Sequence, residues 1–222
     1  MPATLKQTQV SRIIKPKPHK DNKMIEKEIR YQEIDKEQLE FRDDGRTISG
    51  YAIVYEQESQ PIGGEFVEVI EKRALDNVDT SNIYLLYQHN TEDVLASTKG
   101  GSLSLRSTDK GLYFTASLPD TQLGKDTYTL IKRGDSSGMS FGFRVKDDTW
   151  NVRSEPAIRK VNSIDKLYEI SVVTYPAYDN TVVSTRAMDT LKECKCCKDD
   201  YDKCEINLTQ AKEILESVKP KP

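Results

Sequence analysis

The stretch Gly138-Met139-Ser140-Phe141-Gly142-Phe143 decides the fold, because it follows the turn-forming run Gly134-Asp135-Ser136-Ser137 and opens an alternation that continues to Val145. The pattern predicts a turn that delivers a serine onto a β-strand. With a period of two, Met139, Phe141, Phe143 and Val145 share one face, and Ser140 and Gly142 share the other. Nothing bulkier than a hydroxyl stands on that second face, which leaves room for a substrate backbone beside Ser140.

As a bare pattern, Gly138-Met139-Ser140-Phe141-Gly142 matches the G-x-S-x-G nucleophile elbow of the α/β-hydrolases, which needs the chain order Ser, then Asp or Glu, then His. The chain has only two histidines, His19 and His89, and both precede Ser140. That fold is excluded on chemistry. The order His89, Ser140, then an acidic residue survives, since triads are defined by geometry and role and another fold can present one.

A chain of 222 residues can bury one good core, but 31% charged residues, 36% hydrophobic residues and one Trp predict one domain with polar tails. The boundaries fall at a basic, flexible arm over residues 1–35, a folded domain over 36–186 and a polar tail over 187–222. The formal charge of −3 gives no argument for nucleic acid or membrane as a partner. Neither a membrane-length apolar run nor a signal-peptide core appears, so the reading is an unexported, soluble protein. Within the arm, Lys15-Pro16-Lys17-Pro18 denies a helix its hydrogen bonds. His19 lies there, where a base cannot be held in register with a nucleophile. His89 is therefore the candidate imidazole.

Strands are predicted at Thr47 to Tyr55, Phe66 to Ile70 and Ile83 to Tyr87, the last running straight into Gln88-His89-Asn90. Leu103 to Ser107 and Leu112 to Leu118 form a hairpin around Thr108-Asp109-Lys110-Gly111. Leu123, Tyr128, Leu130 and Ile131 keep helical spacing up to Gly134, a natural C-terminal stop. Ile158 to Val161 and Lys166 to Tyr175 supply two final strands. Many short strands with few helices predict a mainly β (α+β) fold, a closed or nearly closed β-barrel with peripheral helices. In the last strand, Leu167, Glu169, Ser171, Val173 and Tyr175 fall on one face. Glu169 is a carboxylate in a buried-looking strand and needs a cationic or donor partner. A salt bridge to a neighbouring strand and a catalytic role both meet that need.

Leu86-Tyr87-Gln88-His89, Gly111-Leu112-Tyr113-Phe114, Leu118-Pro119-Asp120-Thr121, Arg133-Gly134-Asp135, Gly138 to Phe143 and Glu169 to Tyr178 together resemble the HK97-type prohead protease of tailed bacteriophages, in order and in spacing. The likeness covers roughly residues 40 to 185. It implies a serine endopeptidase distantly similar to herpesvirus assemblin, a closed β-barrel surrounded by a few helices, with Ser140 as nucleophile and His89 as base. Glu169 lies where that fold places its third triad member, a histidine in the herpesvirus enzymes. The implied substrates are the scaffolding segment of the major capsid protein and the protease itself, inside the assembling prohead in the host cytoplasm. A homodimer is among the partner states, and no cofactor is implied.

All four cysteines, Cys194, Cys196, Cys197 and Cys204, lie in the tail in a spacing unlike that of metal sites. Reduced thiols and a structural zinc both stay open there, and the site assignment includes no metal. Ala211, Ile214, Leu215 and Val218 make a narrow apolar stripe on a short helix. Two function classes follow: a protease of head maturation, or a non-catalytic assembly or scaffolding protein that keeps the protease fold.

Overall fold

The alternation opening at Gly138 does form a strand, and a longer one than its apolar pattern shows. The structure, a computed structural model, describes residues 27–33, 39–42 and 46–174. Readings that fall on the first 26 residues or beyond residue 174, including the cysteines and the apolar stripe, lie outside the described residues. In chain order the elements are β1 (Glu28–Glu33), β2 (Glu40–Phe41), β3 (Thr47–Val54), β4 (Phe66–Ile70), β5 (Tyr84–Tyr87) and β6 (Asn90–Ser97). Then come β7 (Leu103–Ser107), β8 (Gly111–Ser117), α1 (Gln122–Arg133), β9 (Gly138–Asn151) and β10 (Ala157–Val173).

The strands form two sheets. One runs β1-β9-β10-β5-β6, with β4 also on β10; the other runs β2-β3-β8-β7. Neither closes on itself among the described residues, so the fold is mainly β but the closed barrel expected from the sequence is not seen. Likewise a single helix stands among the described residues, where a few were expected. The two sheets share one apolar core that joins Ile48 and Ile53 of β3 and Phe114 of β8 to Phe141 and Phe143 of β9 and Ile170 of β10.

Local chemistry explains the elements that lead to Ser140. Thr121 caps α1 by accepting from the Gly124 amide, and Gly134 ends it at φ 91°, a left-handed conformation that suits glycine. The chain then turns through Ser136, whose hydroxyl meets that of Thr174, and enters β9.

The two strands expected after residue 158 are one, and β-bulges are the reason. Between β9 and β10 the register shifts at four places, the last between Leu167 and Glu169. Each bulge resets the two-residue alternation, so a period-two reading breaks the strand. The last one also corrects a face assignment. Leu167 pairs with Phe143, on the core face, whereas Glu169 pairs with Gly142 and Ser171 with Ser140, on the serine's face.

The strand β1 lies inside what the sequence suggested was arm, and charge fastens it. Arg159 of β10 is 1% exposed and meets Glu28 at 2.7 Å, Glu68 at 2.9 Å and Asp148 at 2.8 Å. Arg30 adds bonds to Glu68 at 2.8 Å and Glu28 at 2.5 Å. Burial alone would push the Glu28 carboxyl up, but the two guanidiniums outweigh it and bring it down to about 2. Lone buried charges are strongly unfavourable; this cluster matches them across β1, β4, β9 and β10.

Two outcomes are expected. Arg159→Met should destabilise the fold by about 3–5 kcal/mol, read from the denaturant midpoint, because it strands buried carboxylates. The depressed Glu28 pKa contributes stability that is complete above its ordinary value of 4.5 and is lost as pH falls towards 2. Melting temperature should therefore drop across that window, and Glu28→Gln, less stable at neutral pH, should show a shallower acid decline. Equal slopes in the two proteins would contradict this.

Candidate active site

His89 is held by a two-residue hairpin turn. Tyr87 pairs with Asn90, and the residues between them, Gln88 and His89, have φ of 55° and 60°. Positive φ at both central positions fits the twist of a tight hairpin, although side chains other than glycine adopt it rarely. The turn is tied to β10: the Gln88 amide donates to the Val172 carbonyl at 2.9 Å, and its side chain donates to Thr174 at 2.5 Å. Strain of this kind persists where the surroundings over-determine it. Here it aims the imidazole at β10.

There His89 Nδ1 lies 3.0 Å from Glu169 Oε1. The second carboxylate oxygen, Oε2, accepts from the Ser171 hydroxyl at 2.6 Å. Lys27 Nζ, from just before β1, stands 3.4 Å from Oε1, so the salt-bridge role and the histidine contact converge on one oxygen. Burial pushes the Glu169 carboxyl up. The hydrogen bonds from His89 and Ser171, with the charges of His89 and Lys27, more than reverse this and hold it below its ordinary value. Glu169 is thus kept as an anion that faces an imidazole.

Ser140 occupies the next position on the same face. It is paired across the sheet with Ser171 on one side and Tyr31 on the other, and it is 2% exposed. Among the described residues its hydroxyl donates to the Arg30 carbonyl, at 2.8 Å, and not to His89. The structure therefore joins His89 to Glu169 directly and leaves Ser140 one cross-strand step away. The open room expected beside the serine is filled from β1: a Cβ on Gly138 would fall 2.1 Å from the Tyr31 ring. A Cβ on Gly142 would fall 2.3 Å from Lys27 and 2.6 Å from Glu169 Oε1. Gly142 is what lets the carboxylate lie over β9.

Sequence reasoning missed Ser171, Lys27 and Arg30. Ser171 carried a usable signal, since it sits two residues from Glu169 in a strand. Lys27 and Arg30 carried none, because their part depends on an unforeseen strand pairing.

Gly142→Ala should force Glu169 Oε1 away, and the low-field proton resonance of a carboxylate-bound His89 Nδ1 should disappear. Its persistence would mean that the carboxylate does not need the glycine. Ser171→Ala removes a donor that favours the charged form, so the Glu169 carboxyl should titrate at higher pH, read by carbon NMR.

In comparison with known proteins, residues 32–194 match the family model of the caudovirus prohead serine protease. No curated protein sequence and no solved structure matches the chain. The match covers well over half of the 222 residues and takes in His89, Ser140 and Glu169. The chain belongs to the caudovirus prohead serine protease family.

Proposed function

We propose that the protein is a serine endopeptidase of phage head maturation in which Ser140 is the nucleophile, His89 the general base and Glu169 the residue that orients the imidazole. The observation that carries this is the buried, ionised Glu169 between His89 Nδ1 and Ser171, on the face that bears Ser140. With Nδ1 committed to the carboxylate, Nε2 is the ring nitrogen left to take a proton. The Ser140 hydroxyl turns from the Arg30 carbonyl towards Nε2 and gives up its proton as Oγ attacks the scissile carbonyl carbon. The imidazolium returns that proton to the leaving amine as the C–N bond breaks, and water releases the acyl group by the same steps. Glu169 stabilises the imidazolium that forms between these transfers.

The substrate is the scaffolding segment of the major capsid protein, and the chain also cuts itself, inside the assembling prohead in the host cytoplasm. No helix among the described residues is long and apolar enough to cross a membrane. The rival reading, a non-catalytic assembly protein with this fold, draws on the Ser140 bond to the Arg30 carbonyl, which gives the hydroxyl a structural role.

Co-expression with the cognate capsid protein, followed by intact-mass analysis of both chains, separates the two. Ser140→Ala should cut turnover by about 10⁶ and keep the fold, losing one hydrogen bond worth about 1 kcal/mol. The active chain should lose part of one or both tails, chiefly the C-terminal one, at sites outside residues 40 to 185, while Ser140→Ala keeps its full length. Capsid protein trimmed at the normal rate by folded Ser140→Ala would refute the assignment. Glu169→Gln should cost about 10⁴ in rate, as loss of a triad acid does elsewhere. Near-normal cleavage with a clear fall in melting temperature would instead make Glu169 a purely structural partner of Lys27.

A further inference from the structure

Three contacts on the candidate site come from one short segment. The Arg30 carbonyl takes the Ser140 hydroxyl, Lys27 shares the Glu169 oxygen that faces His89, and the Tyr31 ring lies against Gly138. Lys27, Arg30 and Tyr31 all precede the region matched by the family, which starts at residue 32. Arg30 and Tyr31 lie on β1 and Lys27 immediately before it; among the described residues β1 is an edge strand paired with β9 alone.

Apolar packing does little to hold that strand. None of its residues belongs to the shared apolar core, and its core-facing positions include Glu28 and Arg30, opposite Phe143 and Phe141. Charge holds it, in a cluster of three carboxylates and two guanidiniums: Glu28, Glu68 and Asp148 with Arg30 and Arg159. Departure of β1 removes one of each. Arg159 then keeps Glu68 and Asp148 at 2.9 Å and 2.8 Å, so no buried guanidinium is stranded and the formal charge of the remainder is unchanged. Meanwhile the Ser140 hydroxyl loses its competing acceptor and the edge of β9 beside it opens.

We propose that β1 is an autoinhibitory strap: while docked on β9 it holds the Ser140 hydroxyl on the Arg30 carbonyl and away from His89, and its release switches the serine on. This rests on the reading of Ser140 as nucleophile. A peptide that reaches Ser140 along this edge has to displace the strap. Full-length protein is thereby kept quiet until a substrate or an assembly partner competes for β9.

The test is the rate at which an alkyl fluorophosphonate modifies Ser140 in full-length protein, with the site located by tandem mass spectrometry. Glu28→Gln/Arg30→Gln loosens the strap without leaving an unmatched charge and should react at least about tenfold faster than the parent. A lock made from Gln32→Cys and Met139→Cys, which are cross-strand partners, is placed in a background where Cys194, Cys196, Cys197 and Cys204 are serine. Oxidised, it should react at least about tenfold slower, and a reductant should restore the rate. If the double Gln variant does not fold, the lock decides alone, since it alters no charge. Equal rates at Ser140 in oxidised and reduced lock would overturn the strap and leave the nucleophile assignment standing. Absence of phosphonylation at Ser140 in every form would overturn the nucleophile assignment and the strap with it.

Discussion

A guanidinium that is 1% exposed has to be answered by carboxylates, and the residues that answer Arg159 set much of the rest of the structure. Glu28, Glu68 and Asp148 reach it from three strands, and Arg30 closes the ring of charge. Apolar side chains would bury β1 more cheaply, since ion pairs of this kind are often no more stabilising than a hydrophobic replacement. What the charges add is geometry. A guanidinium has a fixed fork of donors, so β1 docks in one register, and that register puts the Arg30 carbonyl on the Ser140 hydroxyl.

The site itself is assembled by two departures from regular strand geometry and one missing side chain. A tight turn with positive φ at Gln88 and His89 fixes the imidazole. The bulge between Leu167 and Glu169 lets adjacent positions of β9, Phe143 and Gly142, face an apolar side chain and a carboxylate that are two residues apart on β10. Gly142 supplies the space that the carboxylate occupies. Each of the three is costly or permissive locally, and each is over-determined by its neighbours. This is the pattern expected where structure is given up for chemistry.

How far this was legible in the sequence depended on whether local pattern or distant pairing controlled a feature. The alternation from Met139 to Val145, the hairpin at Thr108 to Gly111 and the helix stop at Gly134 were readable because short-range chemistry decides them. Glu169 was readable as an anomaly, a carboxylate in an apolar strand, and its need for a donor or cation was met by His89, Ser171 and Lys27 together. The bulges of β10 were not readable, because each erases the period that would reveal it. Nor was β1, since Glu28 and Arg30 look like surface residues until Arg159, far along the chain, is known to be buried and bonded to Glu28. The same distant pairing hid the fact that the space beside Ser140 is occupied.

In the proposed mechanism Ser140, and no other serine, forms the covalent bond. Ser171 is its cross-strand neighbour and is bonded to Glu169, so it is the natural competitor. The most direct test is a crystal structure of the phosphonylated protein. The phosphorus is expected on Ser140 Oγ, with His89 Nδ1 still on Glu169 and Nε2 turned towards the adduct. Phosphorus on Ser171, or an adduct on Ser140 with His89 swung away from it, would contradict these roles for Ser140 and His89.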